Sequence, residues 1–372
     1  MDFALNDIQQ MLQDSADKFI HNKYDFETRQ KHSKSELGYS EDNWQLFAEL
    51  GWLALPFEEE FGGLDGNATD VMVLMTELGK GLLVEPYVST VIMAGNAIQR
   101  CGTDEQKAEL IGSIVGGELK LAFAATEAQA PADIKAITTT ATGSGDSVKI
   151  NGKKSVVLHA ASADKLIVAA RTDTDTIGLY IVDASAEGIS AHHYPTNDGG
   201  RASDLTFKDV NATQLGDSND VAAAIQAVLN DAVVAVSAEA VSLMDKMLNA
   251  TVEYTKVRKQ FDVPIAKFQV LQHNMVDMFM ECEQARSMLY YAAITIGEGN
   301  AEAANKASQF LKWKVGQAAR LVGQTAVQLH GGMGVTDELD VGHMFKRLTM
   351  INTLFGSMDY HLDSLVKQRQ AA

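Results

Sequence analysis

The sequence predicts an α+β protein in which a helical N-terminal segment, a β-rich middle segment and a helical C-terminal segment follow one another. Three observations predict this order: helical periodicity near the start, short β-type runs between turns in the middle, and helical periodicity again to the end. The 372 residues also exceed the length at which one hydrophobic core stops growing. We therefore predict an N-terminal helical domain (1–117), a middle antiparallel β-barrel or sandwich domain (118–216) and a C-terminal four-helix bundle (217–372).

Helical periodicity marks both ends of the chain, because apolar residues recur there every three or four positions. The first apolar stripe consists of Leu5, Ile8, Met11 and Leu12, and the second of Trp44, Leu46, Phe47, Leu50 and Leu53. In the C-terminal segment one continuous apolar face is formed by Ile225, Val228, Leu229, Ala232, Val233 and Val236. Helices as long and apolar as these pack into bundles.

The middle segment is rich in Thr, Val and Ile, which favour strands. Its β-type runs include Lys120–Ala125, Ile137–Ala141, Ser147–Ile150, Lys165–Ala170 and Ile177–Val182. Two sequences between or after such runs, Gly143–Asp146 and Asn151–Gly152, are typical of hairpin turns. These features predict a β module of about a hundred residues.

Charge and cysteine content exclude several classes of function. Lys and Arg number 31 against 49 Asp and Glu, so the net charge is −18 and works against a nucleic-acid partner or an anionic membrane. Cys101 and Cys282 are far apart and lack metal-type spacing, so neither a disulfide framework nor a metal site is expected. The N-terminus has no signal-peptide pattern, and no membrane span is expected, so we predict a cytoplasmic protein.

Two polar clusters in the C-terminal segment suit a phosphate-bearing ligand. Arg258 lies in Tyr254–Phe261, and its guanidinium offers charge and a fork of donors to a pyrophosphate. Gly331 and Gly332 follow Gln328, and glycine lets the backbone approach a phosphate closely. A third cluster, Phe123–Glu127, ends a predicted strand. By itself it is equally compatible with a ligand contact and with a structural strand-end Thr beside a solvated Glu.

Taken in this order, the clusters resemble the acyl-CoA dehydrogenase family over essentially the whole chain. The segment Tyr254–Phe261 is similar to the family's Tyr-x-x-x-Arg-x-Gln-Phe-Gly pattern, except that Asp262 stands where Gly is usual. Gln328–Gly332 resembles its Gln-x-x-Gly-Gly element. The resemblance implies an FAD cofactor, a CoA thioester substrate oxidised between its α and β carbons, and transfer of electrons to electron-transfer flavoprotein.

The resemblance also implies which residues contact FAD. The flavin-ring contacts would come from the strand-end cluster, the end of the following strand motif and the loop near the C-terminus: Phe123, Ala125, Thr126, Leu158 and Ser357. Asp359 could touch the FAD ribose or cap the following helix. Contacts to FAD across a subunit interface would come from Arg258, Gln260, Phe261, Phe268, Gln269, Gln328, Gly331 and Gly332. We expect His330, between these glycines and Gln328, to be structural.

The base that usually removes the α-proton is missing from its usual place. The family's loop reads Tyr-Glu-Gly-Thr, and the ungapped count from Gln328 places Phe355 on the glutamate, although the Phe355 backbone N–H could still bind the thioester oxygen.

The family's alternative position for the base, on a long C-terminal helix, falls on Ala232. Glu239, two turns further on, is a lone carboxylate in an apolar stretch, which suits a general base. Its alternative is a buried ion pair with an Arg or a place at a subunit interface. Asp359 is a lesser candidate for the base.

Other departures fall on the substrate and flavin-ring side. The family's Gly-Ser-Asp segment is replaced by Ala128–Asp133, Val156–Leu158 replaces Trp-Ile-Thr, and Val233 replaces an arginine.

The finer pattern, including Ala238–Val241, resembles the small subunit of bacterial two-subunit, pimeloyl-CoA dehydrogenase-like enzymes. This implies a homo- or heterotetramer with a related dehydrogenase subunit. Three alternatives stay open: a catalytic chain, a non-catalytic FAD-binding partner subunit, and a changed flavin reaction such as that of a desulfinase or a monooxygenase.

Overall fold

The N-terminal part of the chain is helical, as predicted. The computed structural model describes residues 4–130, 132–143 and 147–371. The helices of this part are α1 (Asp7–Lys23), α2 (Phe26–Lys34), α3 (Glu41–Glu49), α4 (Ala68–Gly79), α5 (Asn96–Cys101) and α6 (Asp104–Val115). A π-helical segment, Val88–Gly95, leads into α5.

Local sequence fixes where α1 begins. The Asn6 side chain accepts a hydrogen bond from the Gln9 N–H at 2.8 Å, and the Gln9 side chain accepts one from the Asn6 N–H at 3.1 Å. This reciprocal capping box satisfies two N–H groups that have no partner inside the helix. Helix α6 begins with the same arrangement between Thr103 and Gln106.

The middle part is a β domain, as predicted. Its strands are β1 (Leu121–Ala124), β2 (Thr140–Thr142), β3 (Val148–Leu158), β4 (Lys165–Arg171), β5 (Ile177–Asp183), β6 (Ile189–Pro195) and β7 (Arg201–Gln214). Strands β4, β2, β3, β7 and β5 pair in succession, and β5 pairs with β4 again, so these strands close a small barrel. Most pairs are antiparallel, whereas β1 and β2 pair with β4 in parallel.

The predicted turn at Asn151–Gly152 is wrong, because these residues lie inside β3 at a bulge in its pairing with β7. Gly152 has φ +148°, and a Cβ there would lie 2.6 Å from the Cα of Thr139. The glycine therefore serves a close backbone approach and a kink in the strand, not a hairpin. In the other predicted turn, Gly143–Asp146, residues 144–146 lie outside the described residues.

The C-terminal part is helical, but it contains more than the predicted four helices. Residues 217–371, as described, hold α7 (Ala222–Val257), β8 (Lys259–Gln260), β9 (Val263–Pro264), α8 (Gln269–Gly297), α9 (Ala301–His330), α10 (Asp340–Thr353) and α11 (Met358–Ala371). Helix α7 is long and apolar enough by composition to cross a membrane, yet 83% of its most apolar window is buried in the protein. That burial is typical of a core helix.

The chain forms two compact units. One, called here the helical unit, comprises Met1–Gln30, Ala68–Leu83 and Val233–Ala372; the other, the β unit, comprises Lys31–Asn67 and Val84–Ala232. Apolar side chains from the barrel strands form a core in the β unit, with Val148, Leu166, Val182 and Phe207 among them. The domain boundaries predicted at 117/118 and 216/217 stay a prediction.

Candidate functional site

In the β unit, the end of β1 lies beside β3. The Ser155 N–H donates to the Thr126 carbonyl oxygen at 2.9 Å, and the Lys154 ammonium donates to the Ala125 carbonyl oxygen at 3.2 Å. Phe123 is buried within β1, whereas Thr126 is half-buried. The Thr126 hydroxyl makes no hydrogen bond to any residue that the structure describes, so it is available to a ligand.

Glu127 is buried rather than solvated. Its carboxylate accepts from Lys154 Nζ at 2.7 Å, from the N–H and hydroxyl of Thr138 at 2.9 and 2.7 Å, and from the Thr139 N–H at 3.0 Å. Burial acts to raise the pKa of Glu127, but Lys154 and the other donors outweigh it and hold that pKa well below its usual range. Burial lowers the pKa of Lys154 to about 8, against the opposing effect of Glu127. This ion pair attaches the segment that follows β1 to strand β3.

The end of β3 has an unusual backbone. Val156 has φ +53°, which is strained for a β-branched residue, and its N–H donates to Asp204 Oδ1 at 2.9 Å. The pairing with β7 shifts between Lys154 and Val157, so the strained residue Val156 lies in a β-bulge. Leu158 ends the strand two residues later and is partly exposed. The two strand ends that carry the predicted flavin-ring contacts are thus adjacent in the β unit.

In the helical unit, the Arg258 cluster forms an exposed hairpin after α7. Strands β8 and β9 pair around Phe261 and Asp262, which have φ values of +52° and +62°. The positive φ explains the family's usual glycine at position 262, and aspartate is among the residues that tolerate it. Phe261 is 85% exposed and packs edge-on against Phe268 with ring centroids 6.2 Å apart. The Arg258 guanidinium has no hydrogen-bond or ion-pair partner among the described residues.

The glycine cluster ends α9 and is joined to the Arg258 cluster. Gly331 has φ +61°, and a Cβ on Gly331 or Gly332 would meet nothing within 4 Å, so the backbone there is open to a ligand. His330 Nδ1 lies 2.8 Å from the Ala326 carbonyl oxygen, and its ring stacks on Tyr254 with centroids 4.4 Å apart. His330 is therefore structural, as expected. Because Tyr254 lies one helical turn before Arg258, its stacking on His330 brings the glycine cluster and the Arg258 cluster together.

The loop expected to carry the base connects α10 and α11. Phe355 has φ +57° and Gly356 φ +99°, and the Phe355 side chain is partly buried. The Ser357 hydroxyl accepts from the Tyr360 N–H at 3.2 Å and caps α11, so Ser357 rather than Asp359 has the capping role. Asp359 lies exposed in the first turn of α11, where a negative charge favours the helix dipole.

Glu239 forms a bidentate ion pair with Arg347 of α10. Its oxygens accept from the guanidinium Nε at 2.6 Å and from a terminal guanidinium nitrogen at 2.7 Å, and the residue is 2% exposed. Helix α4 closes over it, since a Cβ on Gly79 would lie 2.8 Å from the Glu239 Cα. This geometry matches the ion-pair alternative. Arg347 lies 108 positions away and was not predicted from the sequence.

Two buried side chains that bond the loop between α10 and α11 were also not predicted from the sequence. Lys312 of α9 donates to the carbonyl oxygens of Gly356 at 2.8 Å and Asn352 at 3.2 Å. His361 Nε2 lies 2.9 Å from the Phe355 carbonyl oxygen. Their partners are backbone atoms, which leave no pattern in a sequence, and only the lysine's place in an apolar helical stripe could have drawn attention to it.

The fold, the glycine-terminated helix and an arginine without a partner among the described residues are those of a flavoprotein oxidoreductase. The chain belongs to the acyl-CoA dehydrogenase family: its N-terminal, middle and C-terminal domain models match residues 6–118, 122–210 and 222–369. The cofactor of this family is FAD. The residues fit it on the pyrophosphate side, where no described residue bonds the Arg258 guanidinium and the backbone at Gly331 is open.

Three known proteins illustrate the similarity. The chain is 29% identical over 311 residues to a caffeyl-CoA reductase-Etf complex subunit of Acetobacterium woodii, covering 80% of this chain and 82% of that one. The solved structure of the Tcur3481-Tcur3483 steroid ACAD has a TM-score of 0.90 and 28% identity, covering 98% of this chain and 99% of that one. PigA with FAD and proline has a TM-score of 0.91 and 26% identity, covering 100% and 99%.

Proposed function

We propose that this chain is an FAD-binding subunit of a heteromeric acyl-CoA dehydrogenase and that it does not supply the α-proton base. One observation carries the proposal: Glu239, the carboxylate that the sequence offers as the base, is held by Arg347 through two charge-assisted hydrogen bonds. Phe355 stands at the other base position and cannot accept a proton. Both oxygens of Glu239 are engaged by the guanidinium, an arrangement typical of a structural ion pair.

The reaction of such an assembly removes the α-hydrogen of a CoA thioester as a proton and the β-hydrogen as a hydride, which FAD accepts. This chain's own residues would bind and orient. Arg258, Gln328 and the backbone at Gly331–Gly332 would hold the ADP half of FAD, with Gln260, Phe261, Phe268 and Gln269 beside them.

A second group of this chain's residues would meet the flavin ring and the thioester. In the β unit, Phe123, Ala125, Thr126 and Leu158 would contact the flavin ring. The resemblance gives the Ser357 hydroxyl a place near the flavin and Asp359 a contact to the FAD ribose. The Phe355 N–H would donate to the thioester oxygen, which matters because the α-proton becomes acidic only as negative charge on that oxygen is stabilised. The loss of the family's serine from Ala128–Asp133 and of its aromatic residue from Val156–Leu158 weakens this side of the site.

The proposed partners follow from the same comparison. The name of the Acetobacterium woodii relative includes Etf, which supports electron-transfer flavoprotein as the electron acceptor. The name of the steroid ACAD joins two gene products, which supports assembly with a related dehydrogenase chain. Phe261 is exposed and Arg258 bonds no other side chain in the part of the chain that the structure describes, so both are suited to reach a neighbouring subunit. A cytoplasmic location accords with this role.

The test is a visible absorption spectrum of the purified chain, expressed alone and together with a related dehydrogenase chain, before and after anaerobic addition of acyl-CoA thioesters. We expect the chain alone to lack thioester-dependent bleaching of the flavin band and the assembly to show it. The Glu239→Gln assembly should bleach at the wild-type rate if it retains its fold.

Bleaching of the chain alone would overturn the proposal and establish a self-sufficient dehydrogenase. If Glu239→Gln then abolished that bleaching, Glu239 would be the base despite its ion pair. If the chain is yellow but no thioester bleaches its flavin band, either alone or in an assembly, the result would instead indicate a changed flavin reaction.

A further inference from the structure

Lys312 is a buried lysine whose amino group bonds no carboxylate among the described residues. It is 1% exposed, it lies on α9, and within the described residues its ammonium forms no salt bridge. Its hydrogen bonds go to two backbone carbonyl oxygens, those of Asn352 and Gly356. These atoms flank the turn between α10 and α11 from both sides.

Burying an ammonium group in this way is costly, because the lost hydration is not repaid by an opposite charge. Burial lowers the pKa of Lys312 to about 7. A methionine would fill the same space at lower cost. The lysine therefore contributes something that an apolar side chain cannot, and its donated hydrogen bonds to the turn are that contribution.

His361 of α11 supports the same turn from the other side. Its Nε2 lies 2.9 Å from the Phe355 carbonyl oxygen, so Nε2 carries the hydrogen and donates. Burial, together with the charge of Lys312, lowers the pKa of His361 to about 4 and keeps the ring neutral. Three carbonyl oxygens, those of Asn352, Phe355 and Gly356, are thus held by two buried side chains.

The turn needs this support, because Phe355 and Gly356 both have positive φ. That conformation is unfavourable for phenylalanine and persists only where the surroundings hold it. Helix α9 also approaches both ends of the turn closely. A Cβ on Gly316 would lie 2.5 Å from Asn352 Oδ1 and 2.8 Å from the Met358 Cβ.

We propose that Lys312 and His361 are positioning residues that fix the backbone of the turn at Phe355 and hence the direction of its N–H, whatever side chain residue 355 carries. The support comes entirely from main-chain acceptors, so it is unaffected by the loss of the usual glutamate. The consequence for thioester binding rests on the proposed function; the geometry of the turn does not.

The test is hydrogen exchange, followed by mass spectrometry, of the peptide spanning α10, the turn and the start of α11 in the full-length chain as purified. Lys312→Met should exchange about tenfold or more faster at the end of α10 and the start of α11, because the turn opens locally. The matched control is Lys314→Met on the same helix. Lys314 is also buried, but its ammonium bonds Glu281 at 2.8 Å and does not touch the turn.

A second pair of variants decides the matter if Lys312→Met does not fold. His361→Gln keeps a donor near the Phe355 carbonyl oxygen and should exchange within about twofold of wild type, whereas His361→Leu should exchange about tenfold faster. Equal exchange in both variants, or in Lys312→Met and Lys314→Met, would overturn the proposal. Exchange is read without flavin or substrate, so a failure of the proposed function would leave these outcomes unchanged.

Discussion

Two kinds of polar site in this chain differ in whether the fold satisfies them. The Arg258 hairpin and the Gly331 turn of the helical unit are exposed, and the Arg258 guanidinium has no partner among the residues described. The carboxylates of Glu127 and Glu239 are buried, and each is bonded to a cation of its own unit. An unsatisfied exposed group is free to bind something outside the chain, whereas a satisfied buried one stabilises the fold. The comparison separates the FAD-binding candidates from the base candidate.

The largest effect is expected at Glu239. Glu239→Gln removes one charge of a bidentate ion pair that lies largely inside the fold, and it should lower the free energy of unfolding by about 3–5 kcal/mol. Because the two side chains are coupled, the double variant Glu239→Gln with Arg347→Met should lose less stability than the sum of the two single variants. Urea denaturation followed by circular dichroism measures both. A single variant as stable as wild type would show that the ion pair does not hold Glu239, and would restore it as a candidate base.

Glu127 should give the next largest effect. Glu127→Gln removes the partner of Lys154, which is fully buried, and should lower the free energy of unfolding by about 3 kcal/mol. Because the pKa of Glu127 is held well below its usual range, its contribution is present above about pH 4.5 and is lost as the pH falls. The difference in unfolding temperature between wild type and variant should therefore be larger at pH 7 than at pH 4. An equal difference at both pH values would contradict the buried ion pair.

Arg258 should affect ligand binding and leave the fold intact. Arg258→Ala should weaken FAD binding by about 10- to 100-fold, since a charge-assisted hydrogen bond contributes about 1.5–3 kcal/mol. The unfolding temperature of the FAD-free chain should not change, because the guanidinium has no partner within the described chain. Fluorescence titration with FAD measures the affinity, and Arg369→Ala in the last turn of α11 is the control. Unchanged affinity would remove Arg258 from the FAD contacts.

The smallest effect is a pH dependence at His361. Its pKa in the folded chain is about 4, below the ordinary value of 6.5, so between these values only the unfolded chain binds the proton. Stability should therefore fall as the pH drops through this window, by about 1 kcal/mol between pH 6 and pH 5. His361→Gln does not titrate there and should lose less. Parallel losses in both proteins, measured by urea denaturation, would contradict the assignment.

Much of the fold could be predicted from the sequence, since helical and β periodicity differ sharply on either side of residue 118. The strands β1, β4 and β5 lie within or nearly within the runs Lys120–Ala125, Lys165–Ala170 and Ile177–Val182. The turn at Asn151–Gly152 was wrong because strand pairing with β7 continues through it, and local turn chemistry does not reveal that pairing.

The site was predictable where motifs are local and was not where contacts are distant. Arg258 and Gly331 stand in short patterns, and their exposure agrees with a ligand-binding role that stays a prediction. The ion pair of Glu239 joins residues 108 positions apart, and the support of Phe355 comes from side chains that bond backbone carbonyls. Neither kind of contact constrains the residue types near it in the sequence.

The hairpin between β8 and β9 has a consequence for the thermodynamics of association. Phe261 is 85% exposed, yet its backbone is fixed in a two-strand turn and its ring rests against Phe268. A surface that covers this ring gains the burial of an aromatic side chain without first having to immobilise the turn. Little conformational entropy is then lost on contact, and the association is favoured before any new hydrogen bond forms.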